Sequence, residues 1–228
     1  MERHNNIQQK GRMIWFGCSH TFGMMLPDCT DLKNPDKPSK FAFAQLVSNA
    51  LDRECVNLSY PGSSNKYARY KALQVDYQPG DIVIFVWTFF ERSMIMERKG
   101  KPKHVGLWGV GDIQKRWRTN TLWSKYISRS NEKDLRTDAL YIMDHTHRVL
   151  LDNPNIDKIY HYTVDSFVYG WAKPSWAKFS FNGHLNHFID KMKEQNIEVD
   201  TALDNAHYGV NTHKFFAEQL LHDNFKGE

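Results

Sequence analysis

The chain has 228 residues, 41% of them apolar and 14% aromatic, with 30 Lys and Arg against 26 Asp and Glu and a net charge of +4. A chain of that length buries enough surface to fold without disulfides or a structural metal, and its composition excludes disordered, collagen-like and coiled-coil classes. Its longest strongly apolar run, Ile82 to Phe90, falls far short of the roughly 20 residues a membrane-spanning helix needs.

The predicted elements alternate short apolar strands with longer amphipathic stretches, the pattern of a parallel sheet covered on both faces by helices. Ile14 to Gly17 reads as a first strand, broken at Gly17-Cys18-Ser19-His20. Phe41 to Leu51 follows as a helix, with Phe43, Leu46, Val47 and Ala50 at helical spacing. Cys55 to Leu58 is a second strand ending at the turn Tyr60-Pro61-Gly62, and Ser63 or Ser64 caps a helix reaching about Val75. Beyond the turn Gln78-Pro79-Gly80-Asp81, Ile82 to Trp87 carries no polar alternation and reads as a strand buried on both faces. Leu135 to Leu151 is a long helix stopped by Asn153-Pro154-Asn155, Lys158 to Val164 a further strand, and Val210 to Leu221 a closing helix.

Between Arg92 and Arg136 the pattern loses its period. Twelve Lys and Arg stand against four Asp and Glu there, so this segment is locally basic although the whole chain is only +4. It also holds Trp108, Trp117 and Trp123, which with Arg92 are candidates for substrate binding. Such a segment attracts anionic polymer and stacks on sugars or bases. The plainer reading is a solvated loop whose tryptophans pack on the domain.

Chemistry concentrates in three places. Ser19 lies at a sharp turn after the first strand, where open parallel sheets bind ligands. A hydroxyl needs an adjacent imidazole to take its proton, and a third group to hold that imidazole in the right tautomer. Asp204-Asn205-Ala206-His207 supplies such a pair on one irregular turn. Alone it is weak, because Asp144 to His147 repeats the spacing inside a predicted helix, where a surface turn is the better reading. The third place is the small-residue loop Asn57 to Asn65, in which Gly62 lets an amide N–H approach a developing oxyanion.

Other clusters point less clearly. His184 and His187 are spaced for one helical face but lack a carboxylate cluster, so no metal site is expected. His145 and His147 read as surface residues. Cys18, Cys29 and Cys55 are odd in number and have no C-x-x-C spacing, as reduced thiols would be, and Cys18 points away from the direction taken by Ser19.

Taken together, Gly17-Cys18-Ser19-His20, the Asn57 to Gly62 loop and Asp204-x-x-His207 resemble the first, second and fifth sequence blocks of the SGNH (GDSL-like) hydrolases, in the family's order. The resemblance covers these three blocks and the strand pattern, about 50 residues, and nothing matches the segment from Arg92 to Leu203. It implies a flavodoxin-like three-layer sandwich with a central parallel sheet, one domain over residues 1–228, and a basic insertion at about 92–136 after the third strand. The implied activity is that of a serine esterase or deacetylase on ester-linked substrates, including acylated polysaccharide. Carried over residue by residue, Ser19 is the nucleophile, His207 the base and Asp204 its orienting group. The Ser19 and Gly62 N–H groups form most of the oxyanion hole, and neither metal nor organic cofactor is required. The chain departs from the family pattern twice. Cys18 stands where aspartate is usual, and Phe90 stands near the place of an asparagine donor, for which Thr88, Asn65 or Arg92 would have to substitute. The alternative function is a catalytically silent module that holds glycan or nucleic acid through the insertion, with nucleic acid the disfavoured ligand; a metal-dependent hydrolase is a third. The polar start of the chain carries no secretory signal, so a cytoplasmic location and no membrane partner are expected. The sequence also resembles bacteriophage-encoded proteins, which would add virion or homo-oligomer contacts.

Overall fold

Six consecutive apolar residues, Ile82 to Trp87, can be satisfied only in the middle of a sheet covered on both sides. In the computed structural model, which describes residues 10–31, 37–90, 92–96, 102–105, 132–164 and 175–226, this is the position of β3 (Asp81–Trp87), every residue of which is buried. Ile82, Ile84 and Val86 face one core, while Val83, Phe85 and Trp87 face the other. β1 (Met13–Phe16) lies beside it with the same division, Met13 and Trp15 to one side and Ile14 and Phe16 to the other.

Five parallel strands run in the spatial order β2 (Cys55–Asn57), β1, β3, β6 (Ile156–Thr163) and β7 (Gly183–His184). α2 (Phe43–Ala50), α5 (Leu185–Glu194) and α6 (Val210–Asn224) cover one face; α3 (Asn65–Ala72) and α4 (Glu132–Leu151) cover the other. This is a three-layer α/β sandwich with a flavodoxin-like strand order. The chain leaves β1 in one direction to reach β2 and in the other to reach β3, so the carboxyl ends of β1 and β3 flank the crevice where such sheets bind ligands. A buried ion pair fixes the opposite ends of these strands: the Arg12 guanidinium meets the Asp81 carboxylate at 2.6 Å. The Arg12 and Gln78 N–H groups also donate to that carboxylate, each at 2.8 Å.

Several expectations need correcting. The segment after Arg92 is not aperiodic throughout. β4 (Ser93–Met96) pairs antiparallel with β5 (Pro102–Val105), and α4 begins at Glu132, earlier than Leu135. One turn of helix, α1 (Ser19–Phe22), follows β1, and both β7 and α5 were missed. Asp144 is not at the surface: it is buried, accepting from the Lys178 N–H at 2.6 Å and pairing with Arg148 at 2.6 Å. His147 is half-buried, its Nδ1 lying 3.0 Å from Nε2 of His161. Among the described residues no helix is long and apolar enough to cross a membrane.

Candidate active site

β1 delivers Gly17, Cys18 and Ser19 to the rim of the sheet. The chain turns there so tightly that a Cβ on Gly17 would run into the Thr21 side chain and come within 3.3 Å of Ser59 Oγ. Cys18 caps α1 from an extended conformation and Ser19 opens the helix, buried to 7% exposure. The first N–H groups of a helix have no partner within it, which leaves that of Ser19 available.

The Asn57 to Asn65 loop is bonded onto this turn. The Gly17 carbonyl accepts from the Ser63 hydroxyl at 2.6 Å and from the Tyr60 N–H at 3.2 Å, and the Asn57 amide donates to the Thr21 carbonyl at 2.8 Å. Gly62 adopts φ +71° and nothing lies within 4 Å of where a Cβ would be, so the loop presents bare backbone to open space. Ser64, not Ser63, caps α3, accepting from the Tyr67 N–H at 3.3 Å.

At the end of β3, Asn65 spends both ends of its amide on one residue. Its oxygen accepts from the Thr88 N–H at 2.8 Å and its nitrogen donates to the Thr88 carbonyl at 3.1 Å. Asn65 therefore positions Thr88. The Thr88 hydroxyl accepts from Arg92 Nη1 at 3.1 Å, which leaves its own proton to donate elsewhere. Phe90 packs against the core on the α3–α4 side and carries the Arg136 guanidinium over its ring at 4.9 Å, so it is a packing residue.

The fourth contribution comes from the turn before α6. Asp204 Oδ2 lies 2.7 Å from Nδ1 of His207, and Oδ1 accepts from the Ala206 and His207 N–H groups, each at 3.1 Å. Burial opposes ionisation of Asp204, but the bond from the His207 ring and those from the two N–H groups outweigh it and hold the carboxyl below its usual range. A carboxylate at Nδ1 fixes the proton there and leaves the Nε2 lone pair to act as a base. Asp200 holds the turn onto α6. Its carboxylate accepts from the Thr212 N–H at 2.7 Å, the Thr212 hydroxyl at 2.6 Å and the Asn211 N–H at 3.0 Å.

The two distant segments meet through His20, whose ring centroid is 5.5 Å from that of His207 and 5.1 Å from that of Tyr208. Burial first, then the nearby His207, His213 and Arg92 charges, push His20 down to about 3, so it is neutral at physiological pH. Among the described residues no hydrogen bond joins the Ser19 hydroxyl to the His207 ring. The structure thus brings Ser19, Gly62, Asn65, Thr88, Arg92, Asp204 and His207 to one end of the sheet, around the β1–β3 crevice. His20 and Asp200 escaped the sequence reading as members of this neighbourhood, although His20 directly follows Ser19. Trp108, Trp117 and Trp123 lie outside the described residues, as does most of the 92–136 segment. His184 accepts the His187 N–H at 2.9 Å and caps α5, and among the described residues no three His, Cys, Asp or Glu side chains cluster so as to hold a metal.

No protein-family profile matches the chain, and no curated protein sequence does either. Among solved structures it is similar to a carbohydrate esterase whose active site is described as displaying divergent catalytic and non-catalytic binding functions. That match has 13% identity and TM-score 0.47, covering 97% of this chain and 70% of the other. It is also similar to the acetyl xylan esterase Est2A from the rumen bacterium Butyrivibrio proteoclasticus, with 12% identity and TM-score 0.49, over 96% of this chain and 65% of that one. A third likeness is to a member of the lipolytic protein G-D-S-L family from Veillonella parvula, with 12% identity and TM-score 0.43, over 95% and 99% of the two chains.

Proposed function

We propose that this chain is a serine hydrolase of the SGNH type that cleaves esters through an acyl-serine intermediate. The observation that carries the reading is the Asp204–His207 pair, bonded at 2.7 Å and set against His20, the residue next to Ser19, at the carboxyl edge of β1. His207 Nε2 takes the proton as the Ser19 hydroxyl attacks the acyl carbonyl. The resulting oxyanion is held by the Ser19 and Gly62 N–H groups, and the Thr88 hydroxyl serves as the third donor where the family pattern has asparagine. Collapse breaks the ester bond, His207 returns the proton to the departing alcohol, and a water activated by the same ring then releases the acid from Ser19. Acylated polysaccharide is the proposed substrate, with Arg92 and the three tryptophans of the basic segment as its further contacts.

Incubation with a p-nitrophenyl acetate substrate tests this. The wild-type chain should release nitrophenolate at a rate that Ser19→Ala lowers by about 1,000-fold or more. Equal rates for the two proteins would remove the hydrolase reading. One observation favours a second reading, a binding module without catalysis: Ser19 and His207 are not hydrogen-bonded to each other. Catalytic hydrogen bonds commonly tighten only when substrate arrives, so covalent labelling discriminates. A fluorophosphonate that modifies Ser19 excludes the silent module, and absence of labelling favours it.

A further inference from the structure

A shallow open groove runs between the start of α3, the start of β4 and the first turns of α4, its lining including Asn65, Lys66, Phe90, Arg92, Ser93 and Asp138. It shares Asn65 and Arg92 with the site described above and so begins where that site ends. Two cations line it. Arg92 touches the Thr88 hydroxyl through Nη1 at 3.1 Å and lays its guanidinium over the Phe89 ring at 4.8 Å, which leaves its remaining N–H groups without a partner among the described residues. Lys66 on α3 is exposed, and among the described residues neither cation is paired with a carboxylate. Ser93, in the same lining, is 4% exposed, and its hydroxyl has no hydrogen-bond partner. Two like charges sharing a groove beside an unbonded, buried hydroxyl repel one another, and an anion between them relieves that repulsion.

We propose that this groove is an anion subsite that seats a carboxylate carried by the substrate, an inference that rests on the hydrolase reading above. The planar Arg92 fork fits a carboxylate, Lys66 adds a point charge, and Ser93 supplies a neutral donor. The acidic group lining the groove from α4 is Asp138, which is exposed. Among the described lining residues two cations stand against this one carboxylate, a balance that suits a monoanion better than a doubly charged phosphate. Arg92 is close enough to the reaction site for its charge to act on His20, so a carboxylate bound here would lie within Coulomb range of the reacting ester and neutralise that charge.

The test uses the full-length Ser19→Ala protein, with probes that carry no ester to cleave. Succinamate, a monoanion, and succinamide, its neutral counterpart, are titrated in separate arms while amide resonances of Lys66, Arg92 and Ser93 are followed by NMR. Succinamate should shift these resonances saturably and bind about tenfold more tightly than succinamide at low salt, with the preference shrinking as salt is added. Lys66→Met and Ser93→Ala, both mild changes that leave the fold's core untouched, should each weaken the succinamate response severalfold and leave succinamide unchanged. Equal binding of the two probes, or shifts that avoid these three residues, would overturn the subsite. Fluorophosphonate labelling of the wild type reports on Ser19 separately. Labelling without an anion preference sinks the subsite alone, and an anion preference without labelling sinks the hydrolase and with it the assignment of the carboxylate to a substrate.

Discussion

Asp204 shows how one side chain can fix both a backbone and a tautomer. One carboxylate oxygen accepts the two N–H groups that close the turn, and the other takes the His207 ring. Asp204→Asn should keep much of the turn but remove the charge that stabilises the imidazolium, and an amide nitrogen facing Nδ1 would force the wrong tautomer. A loss of about 1,000- to 10,000-fold in ester hydrolysis is expected, with KM changed far less than kcat. A variant retaining more than a tenth of the wild-type rate would mean that the pair does not serve catalysis. Beside it, Gly209 owes its identity to crowding, because a Cβ there would overlap the Asp200 carboxylate that anchors the turn to α6. Burial raises the cost of ionising Asp200, yet the bonds from the Thr212 hydroxyl and the Asn211 and Thr212 N–H groups overcome it and keep the carboxyl below its ordinary range.

At the level of elements, β1 and β3 are tied together at the end remote from the site. The bonds that the Arg12 guanidinium donates to Asp81 outweigh burial, which opposes its charge, and raise the group above its usual range. Asp81 is fully buried, so Arg12→Met would strand its carboxylate with only N–H donors and should cost about 3 kcal/mol in denaturant unfolding. A change below about 0.5 kcal/mol would show that solvent already screens the pair. How much of this was legible in the sequence varied with the range of the interactions. β1, β2 and β3 were readable as short apolar stretches bounded by turn residues, β6 was read from Lys158 although it begins at Ile156, and the helices α2, α3, α4 and α6 were readable as the longer stretches between strands. β7 has two residues and α1 four, too short for any period to develop. Asp144 looked like a surface residue because its partner, the Lys178 N–H, stands 34 positions away, a contact no local pattern encodes. At the site, the residue types and their order were legible in the three motifs. The role of Asn65 in holding Thr88, and the convergence of His20 with His207, depend on where the sheet brings distant turns, and spacing does not reveal that.

The whole molecule carries a pH dependence in its two cores. His213, 1% exposed, accepts the Phe43 N–H at 3.1 Å, and burial pushes it down to about 3. His161, in the opposite core, accepts from Trp87 Nε1 at 3.0 Å, and burial holds it well below its ordinary value too. Both rings are neutral in the folded chain, whereas the unfolded chain takes up their protons below the ordinary value of 6.5. Their contribution to stability is therefore complete above that pH and drains as the pH falls toward the folded value, by about 1.4 kcal/mol per pH unit for each ring. Denaturant unfolding between pH 7 and pH 4 should show this decline, and His213→Gln, which keeps an acceptor for Phe43, should flatten it by one ring's share. An unchanged slope would show that His213 takes up its proton without unfolding.

The outer strands of the sheet, β2 and β7, are only three and two residues long. A row of unpaired N–H and C=O groups is what lets one chain template another, and here that row is almost absent at either margin. Two copies growing a continuous sheet across the margins of this five-stranded sheet would find too few rungs to hold, so that route to self-association is disfavoured.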